Sequence, residues 1–305
     1  MRPERTAALL LTLLFFPILC RAAGSPSPAP RIECNSIGSK ILGRAVRYCA
    51  VLPPSYDQNK TRRYPVVYFF HGLGDNEQMF IHGGAFNRVE DLWERKQIGE
   101  VLIVTPAAGA SFYINSQNGK VRYEDFLVGE FLPQIEARYR IAAARGSRGV
   151  SGVSMGGYGA LHLAFRHPEL FQAVSVESPA LIAEFPAFVA PGAAGGLRAR
   201  VLEETFGSPP DAAFWERSSP LTLAKSARLS GLQIYFDCGD QDDYGFEDGA
   251  KALDRILTAR HIPHQAHIYP GRHDWEYFAE HLPAALEFQS QAFPKQPGSG
   301  GAVGF

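Results

Sequence analysis

An α/β fold, with a mostly parallel central sheet and helices on both of its faces, is predicted by two observations on this 305-residue chain. Short runs that are apolar throughout and rich in β-branched and aromatic residues recur along it: YPVVYFF (64–70), EVLIVTP (100–106), GVSGVS (149–154), FQAVSVES (171–178), LQIYFDC (232–238) and HQAHIYP (264–270). Strands covered on both faces read this way, whereas a half-solvated strand alternates apolar and polar. Between the runs lie stretches of helical period, and strand–helix alternation is the pattern of a parallel sheet.

The helices are read from spacing. In YEDFLVGEFLPQIEARYRI (123–141), Leu127, Phe131, Ile135 and Tyr139 fall four apart on one face, and Pro133 inside the pattern predicts a kink or a break. MGGYGALHLAF (155–165) starts a helix directly after the 149–154 strand. Leu253, Ile256 and Leu257 share one face of a helix after the 232–238 strand, and WEYFAEHLPAALEFQ (275–289) closes the domain as a helix. The stretch from Leu181 to Ser219, rich in Ala, Pro and Gly, breaks the rhythm and reads as an insertion over the sheet edge, a cap.

No repeat and no break in composition divides the middle, so one domain over residues 31–293 is expected, with an extended linker at 25–30 and a frayed Pro/Gly-rich tail at 294–305. Residues 1–24 are set apart. Arg2 and Arg5 precede an apolar run from Ala7 to Leu19, and small residues follow, which is the order of a secretory signal peptide cut after Ala22 or Gly24. The run is short for a membrane span. An uncleaved anchor is the competing reading; a lipoprotein reading of Cys20 is weaker, because Leu19 stands where a small residue is expected. The expected location is secreted or periplasmic, with no stable membrane anchor after cleavage. In an oxidising compartment disulfides persist. Cys34 and Cys49 flank the turn-rich NSIGSKILGRAVRY, and they face each other if its two arms pair as antiparallel strands. Cys238, at the end of an apolar run, reads as a buried free thiol.

Composition excludes several partners. A formal net charge of −1 leaves no broad basic field to hold phosphate backbones, so nucleic acid is not expected. No Cys/His cluster has zinc spacing, and neither HGLGDNE nor GVSMGGYG carries a Walker lysine or a dinucleotide fingerprint. No metal and no organic cofactor is implied. Oligomeric state is not legible in the sequence.

The chemistry centres on Gly152-x-Ser154-x-Gly156. A serine hydroxyl attacks only when a base takes its proton. A tight strand-to-helix turn lifts such a serine above the sheet, and flanking glycines relieve the crowding there. The backbone N–H of Met155 at the helix start then faces a developing oxyanion. The second donor is expected from His71-Gly72-Leu73-Gly74 after the 64–70 strand, with the Leu73 N–H favoured over Gly72. The partners of a nucleophilic serine in such a fold follow it in the order acid, then histidine. His273 fits: it lies late in the chain, in a loop just after the last strand, beside Gly271, Trp275 and Tyr277. For the acid, Asp237, Asp240, Asp242, Asp243 and Glu247 all compete in DCGDQDDYGFED, and periodicity does not separate them.

With these residues in view, the chain resembles the putative-esterase family of α/β-hydrolases. The family includes esterase D (S-formylglutathione hydrolase), bacterial feruloyl and acetylxylan esterases, and the mycolyltransferases. The resemblance runs from ILGRAVRYCAVLPPSY to HDWEYF and is carried by YPVVYFFHGLGDNE, EDFLVGEFLPQIEARYRI and GVSMGGYGALHLAFRHPELF together. The family's Gly-x-x-Asp pattern falls on Gly239-Asp240-Gln241-Asp242, which selects Asp242 as the acid. Its Gly-x-His-x-Trp pattern falls on Gly271 to Trp275 and implies that Trp275, like Gly72, lies at the substrate; Arg272 stands where a second glycine is common. Residues 181–219 match no subfamily. The resemblance implies an α/β-hydrolase fold and a serine carboxylesterase acting through an acyl-enzyme, with a small-molecule or carbohydrate ester as substrate. Acyl transfer to a sugar or lipid acceptor would use the same residues. A binding protein on an inactive hydrolase scaffold is disfavoured by the intact Ser154, Asp242 and His273.

Overall fold

The computed structural model describes residues 29–183 and 197–295. The expected signal peptide at 1–24, most of the 25–30 linker, nearly all of the tail and the middle of the Leu181–Ser219 stretch lie outside them.

Eight strands form one sheet in the order β1-β2-β4-β3-β5-β6-β7-β8. The first two, β1 (Arg31–Ser39) and β2 (Arg44–Leu52), form an antiparallel hairpin, and β2 runs antiparallel to β4. Cys34 stands opposite Cys49 in the hairpin register, and a disulfide joins them. From β4 (Leu102–Pro106) through β3 (Val66–Phe70), β5 (Arg148–Val153), β6 (Ala173–Glu177), β7 (Gln233–Gly239) and β8 (Gln265–Tyr269), every neighbour is parallel. The central strands are buried on both faces because the pleat sends alternate side chains into two cores. Val67, Phe69, Ile103 and Val153 face one core, with α1 (Met79–His82), α2 (Ala85–Glu94) and the long α10 (Trp275–Ala292). Val66, Tyr68, Phe70 and Val104 face the larger core, with α3 (Tyr123–Phe126), α4 (Leu132–Arg138), α5 (Met155–Arg166), α8 (Pro220–Ser226) and α9 (Phe246–Ala259).

Pro133 neither breaks nor ends its helix. A wide π turn at Leu127–Phe131 joins α3 to α4, and the Leu132 N–H bonds to the carbonyl of Leu127, five residues back. The proline then falls in the first turn of α4, where a missing N–H is tolerated. Leu127, Phe131, Ile135 and Tyr139 are all buried.

The described part of the Leu181–Ser219 stretch holds α6 (Leu197–Phe206) and α7 (Ala212–Ser218). Phe206 packs its ring against Phe112, Tyr158 and Trp215. The carbonyl of Ser218 accepts from Tyr158 Oη at 2.8 Å and from His162 Nδ1 at 2.7 Å. These bonds fasten the stretch to α5, the helix that follows Ser154. Among the described residues no helix is long and apolar enough to cross a membrane.

Candidate active site

Ser154 sits between the end of β5 and the start of α5 with φ +55° and ψ −120°, a conformation that L-residues rarely adopt. Its surroundings hold it there. The Ser154 N–H donates to the Glu177 carbonyl at 3.1 Å, and its own carbonyl accepts from Tyr158 N–H and Ala180 N–H. The flanking glycines are required by space. A Cβ on Gly156 would lie 2.0 Å from the Phe70 carbonyl oxygen, and one on Gly152 would lie 2.6 Å from the Gly156 carbonyl carbon. The turn is thus pressed against the end of β3.

His273 and Asp242 meet the serine in one line. His273 Nε2 lies 2.8 Å from Ser154 Oγ, and His273 Nδ1 lies 2.6 Å from Asp242 Oδ2. The Asp242 side chain is fully buried and that of His273 is 7% exposed. Burial alone would raise the Asp242 pKa. The hydrogen bond and charge of His273, with the backbone N–H groups of Tyr244 and Phe246 on Oδ1, outweigh it and hold the carboxyl below its ordinary value. An ionised Asp242 can only accept, so Nδ1 carries the proton and Nε2 is free to receive one from Ser154. Tyr244, Phe246 and Phe278 set their rings edge-on around the imidazole at 4.8–5.2 Å between centroids.

The competing acids take other roles. Asp240 Oδ1 accepts the Gly271 N–H at 3.1 Å. Asp243 pairs with Arg272 and accepts the His273 N–H at 3.4 Å. Both hold the histidine loop by its backbone. Asp237 is buried beside Tyr277, whose hydroxyl donates to it at 2.8 Å. Glu177 pairs with Asp237 in register across β6 and β7 and is also fully buried. Burial pushes both carboxyls up, Asp237 to about 7 and Glu177 well above its ordinary value, with the proximity of Asp237 adding to the latter. Sequence alone carried no sign of this pair, because it arises from the register of two strands some 60 residues apart.

The loop after β3 comes up beside the serine. A Cβ built on Gly72 would lie 3.6 Å from Ser154 Cβ. Among the described residues, neither the Leu73 N–H nor the Met155 N–H has an acceptor, the latter because it opens α5. His71 is buried beneath them. Its Nε2 accepts the Ala108 N–H at 3.0 Å and its Nδ1 faces the Gly72 carbonyl at 2.8 Å. Trp275 lies at one side of the site: its indole N–H donates to Asp75 Oδ2 at 3.2 Å and its ring packs over Gly83 and Phe278. It ties the histidine loop to the loop after β3. Burial raises the pKa of Asp75. No group of three or more His, Cys, Asp or Glu side chains suited to a metal ion gathers among the described residues.

A glycine-flanked serine in a tight turn after a central parallel strand, with an aspartate after β7 and a histidine after β8, is the arrangement of the α/β-hydrolase class. Within that class the chain belongs to the Putative esterase family, whose model matches residues 39–288. An esterase of Mycobacterium tuberculosis is 30% identical over 264 residues, covering 80% of this chain and 56% of the relative, so this chain spans about half of that protein's length. An acetyl esterase of Caldicellulosiruptor saccharolyticus is 24% identical, covering 83% of this chain and 96% of the relative. A solved structure of a ferulic acid esterase superposes with a TM-score of 0.74 at 27% identity, covering 87% of this chain and 99% of that one.

Proposed function

We propose that this protein is an exported serine carboxylesterase that hydrolyses an ester through an acyl-enzyme. The observation that carries the reading is the unbroken line of hydrogen bonds from Ser154 Oγ to His273 Nε2, and from His273 Nδ1 to Asp242. Ser154 Oγ attacks the ester carbonyl as His273 takes its proton. The tetrahedral oxyanion is held by the N–H groups of Leu73 and Met155. His273 then gives the proton to the leaving alcohol, and Asp242 stabilises the imidazolium formed between the two steps. Water attacks the acyl-enzyme by the same route in reverse.

Export is supported by the charged, apolar and small-residue order of residues 1–24 and by the Cys34–Cys49 disulfide, a bond that persists in oxidising compartments. Acylated carbohydrate or plant-wall esters are the proposed substrates; relatives named acetyl esterase and ferulic acid esterase support that choice. The test is a panel of acetyl, feruloyl and short aliphatic esters, assayed with wild type and Ser154→Ala, alongside labelling by a fluorophosphonate probe. Turnover and labelling in the wild type, with both lost in the folded variant, are expected. Labelling of Ser154→Ala at the wild-type rate would remove the serine from its role. Acyl transfer would appear as products of added sugars or alcohols formed faster than the free acid.

A further inference from the structure

We propose that His71 is a positioning residue for oxyanion stabilisation, a clamp on the single peptide unit that joins Gly72 to Leu73. The inference rests on reading Ser154 as the nucleophile.

The ring's protonation follows from its neighbours. The Ala108 N–H can only donate, so His71 Nε2, 3.0 Å away, must carry a lone pair. The Gly72 carbonyl can only accept, so Nδ1, 2.8 Å away, must carry the proton. Both contacts are satisfied by one neutral tautomer and by no other state of the ring. Burial favours that state, since it lowers the His71 pKa. The ring is 1% exposed, and its own carbonyl accepts from the Tyr113 hydroxyl at 3.3 Å. The Tyr113 ring in turn stacks on Phe70 at 4.0 Å between centroids. His71 is therefore fixed to β3, to the loop after β4 and to the aromatic core before it touches the loop it serves.

What it grips is the Gly72 carbonyl. In a trans peptide the C=O and the following N–H point in opposite directions. Holding the oxygen of Gly72 therefore fixes the direction of the Leu73 N–H. That N–H has no acceptor among the described residues, and Gly72 lies against Ser154. The Gly72 carbonyl also accepts the Asp75 N–H at 3.3 Å, a long bond that would not set the peptide plane by itself. Leu73 is 44% exposed, so its side chain supplies little anchorage. Without the His71 bond only the long Asp75 contact would hold this carbonyl, and a donor that must reorient during the reaction contributes less than one already aimed.

Two amide variants, each reproducing one ring-nitrogen position, separate the two bonds. His71→Asn keeps an N–H near the Nδ1 position and loses the acceptor for Ala108. His71→Gln keeps a polar terminus near Nε2 and loses the donor to Gly72. With 4-nitrophenyl acetate, His71→Gln is expected to lower kcat by about 10²–10³, the effect of losing one oxyanion donor, with KM changed less than about threefold. His71→Asn is expected to retain most of kcat. Inhibition by phenylboronic acid, which forms a tetrahedral serine adduct, should weaken in His71→Gln in parallel with kcat. Equal kcat losses in both variants, or a His71→Gln effect confined to KM or to thermal stability, would overturn the clamp. Ring-nitrogen NMR of the wild type at pH 7 reads the same claim without any variant and independently of turnover: a Nδ1–H neutral tautomer is expected for His71, and a Nε2–H tautomer or an imidazolium would refute it. Absence of ester turnover in the wild type would instead defeat the reading of Ser154.

Discussion

Replacing Asp242 by Asn tests the proposed reaction at the point where the structure is most explicit. The change is isosteric, so packing around the side chain is kept. The orientation of the new amide is dictated by its surroundings. Oδ1 already accepts the N–H of Tyr244 at 2.9 Å and of Phe246 at 3.4 Å, so the amide oxygen must stay there. The NH2 group is then placed where Oδ2 was, 2.6 Å from His273 Nδ1. A donor at that place forces Nδ1 to accept, and the ring proton moves to Nε2. Nε2 lies 2.8 Å from Ser154 Oγ and can no longer take its proton. A triad locked in the wrong tautomer loses about 10⁴ in turnover, equivalent to about 5.4 kcal/mol of transition-state stabilisation. The measurement is kcat/KM on an aryl ester at pH 7, with circular dichroism to establish folding. Asp240→Asn is the internal control, since its oxygen still accepts the Gly271 N–H, and it should stay within about threefold of wild type by the small worth of an exposed contact. A folded Asp242→Asn enzyme within tenfold of wild type, or an Asp240→Asn enzyme as crippled as Asp242→Asn, would refute the assignment of the acid.

Three further outcomes are expected. Gly156→Ala should lower stability by on the order of 3 kcal/mol or more, because its Cβ would fall 2.0 Å from the Phe70 carbonyl oxygen and neither backbone can yield; a melting temperature unchanged from wild type would contradict it. Cys34→Ser/Cys49→Ser opens a cross-link of sequence separation 15 and should cost about 3 kcal/mol, read as a fall of roughly 6–12 °C in Tm under non-reducing conditions. The Glu177–Asp237 pair should make the protein less stable as pH rises from about 4 to 7. The unfolded chain ionises both carboxyls near their ordinary values, whereas the native chain, with Asp237 raised to about 7 and Glu177 also held well above its ordinary value by burial, stays protonated longer, so stability present at low pH is lost through that window. Glu177→Gln should remove part of the slope, its Tm falling less than that of wild type between pH 4 and pH 8; parallel Tm-against-pH curves for the two proteins would defeat this.

Strands β3 to β7 were legible because burial on both faces leaves apolar runs, whereas β8 is a partly exposed edge strand, and Ser154 was legible because a strand, a glycine-flanked serine and a helix follow one another without a gap. His273 was legible from its place after the last run. Asp242 was not legible from composition, since five other acids stand with it in DCGDQDDYGFED; the family pattern chose it, and the contact with the imidazole ring sets it apart in space. The helices α1 and α2 escaped periodicity, because α1 is a single turn and α2 opens at Ala85 directly after Gly83 and Gly84, with no side-chain cap to announce it. The tie between Trp275 and Asp75 joins residues 200 positions apart, and no local pattern announces it. Trp275, expected at the substrate, stands at one side of the site with its indole N–H on Asp75.

The run from Asp240 to Asp243 carries a consequence for changing this protein by design or by drift. Asp240 holds the backbone of Gly271, Asp242 holds the imidazole, and Asp243 holds the backbone of His273 together with Arg272. Gly239 lies so close to Gly271 that a Cβ would reach its carbonyl oxygen at 2.4 Å. Four residues thus act as a ruler laid along the neighbouring loop, and spacing matters more than any one mark on it. A single residue inserted between Asp240 and Asp242 would move the imidazole away from the serine even with every carboxylate retained. Grafts between relatives should therefore carry 239–246 and 270–275 as one cassette.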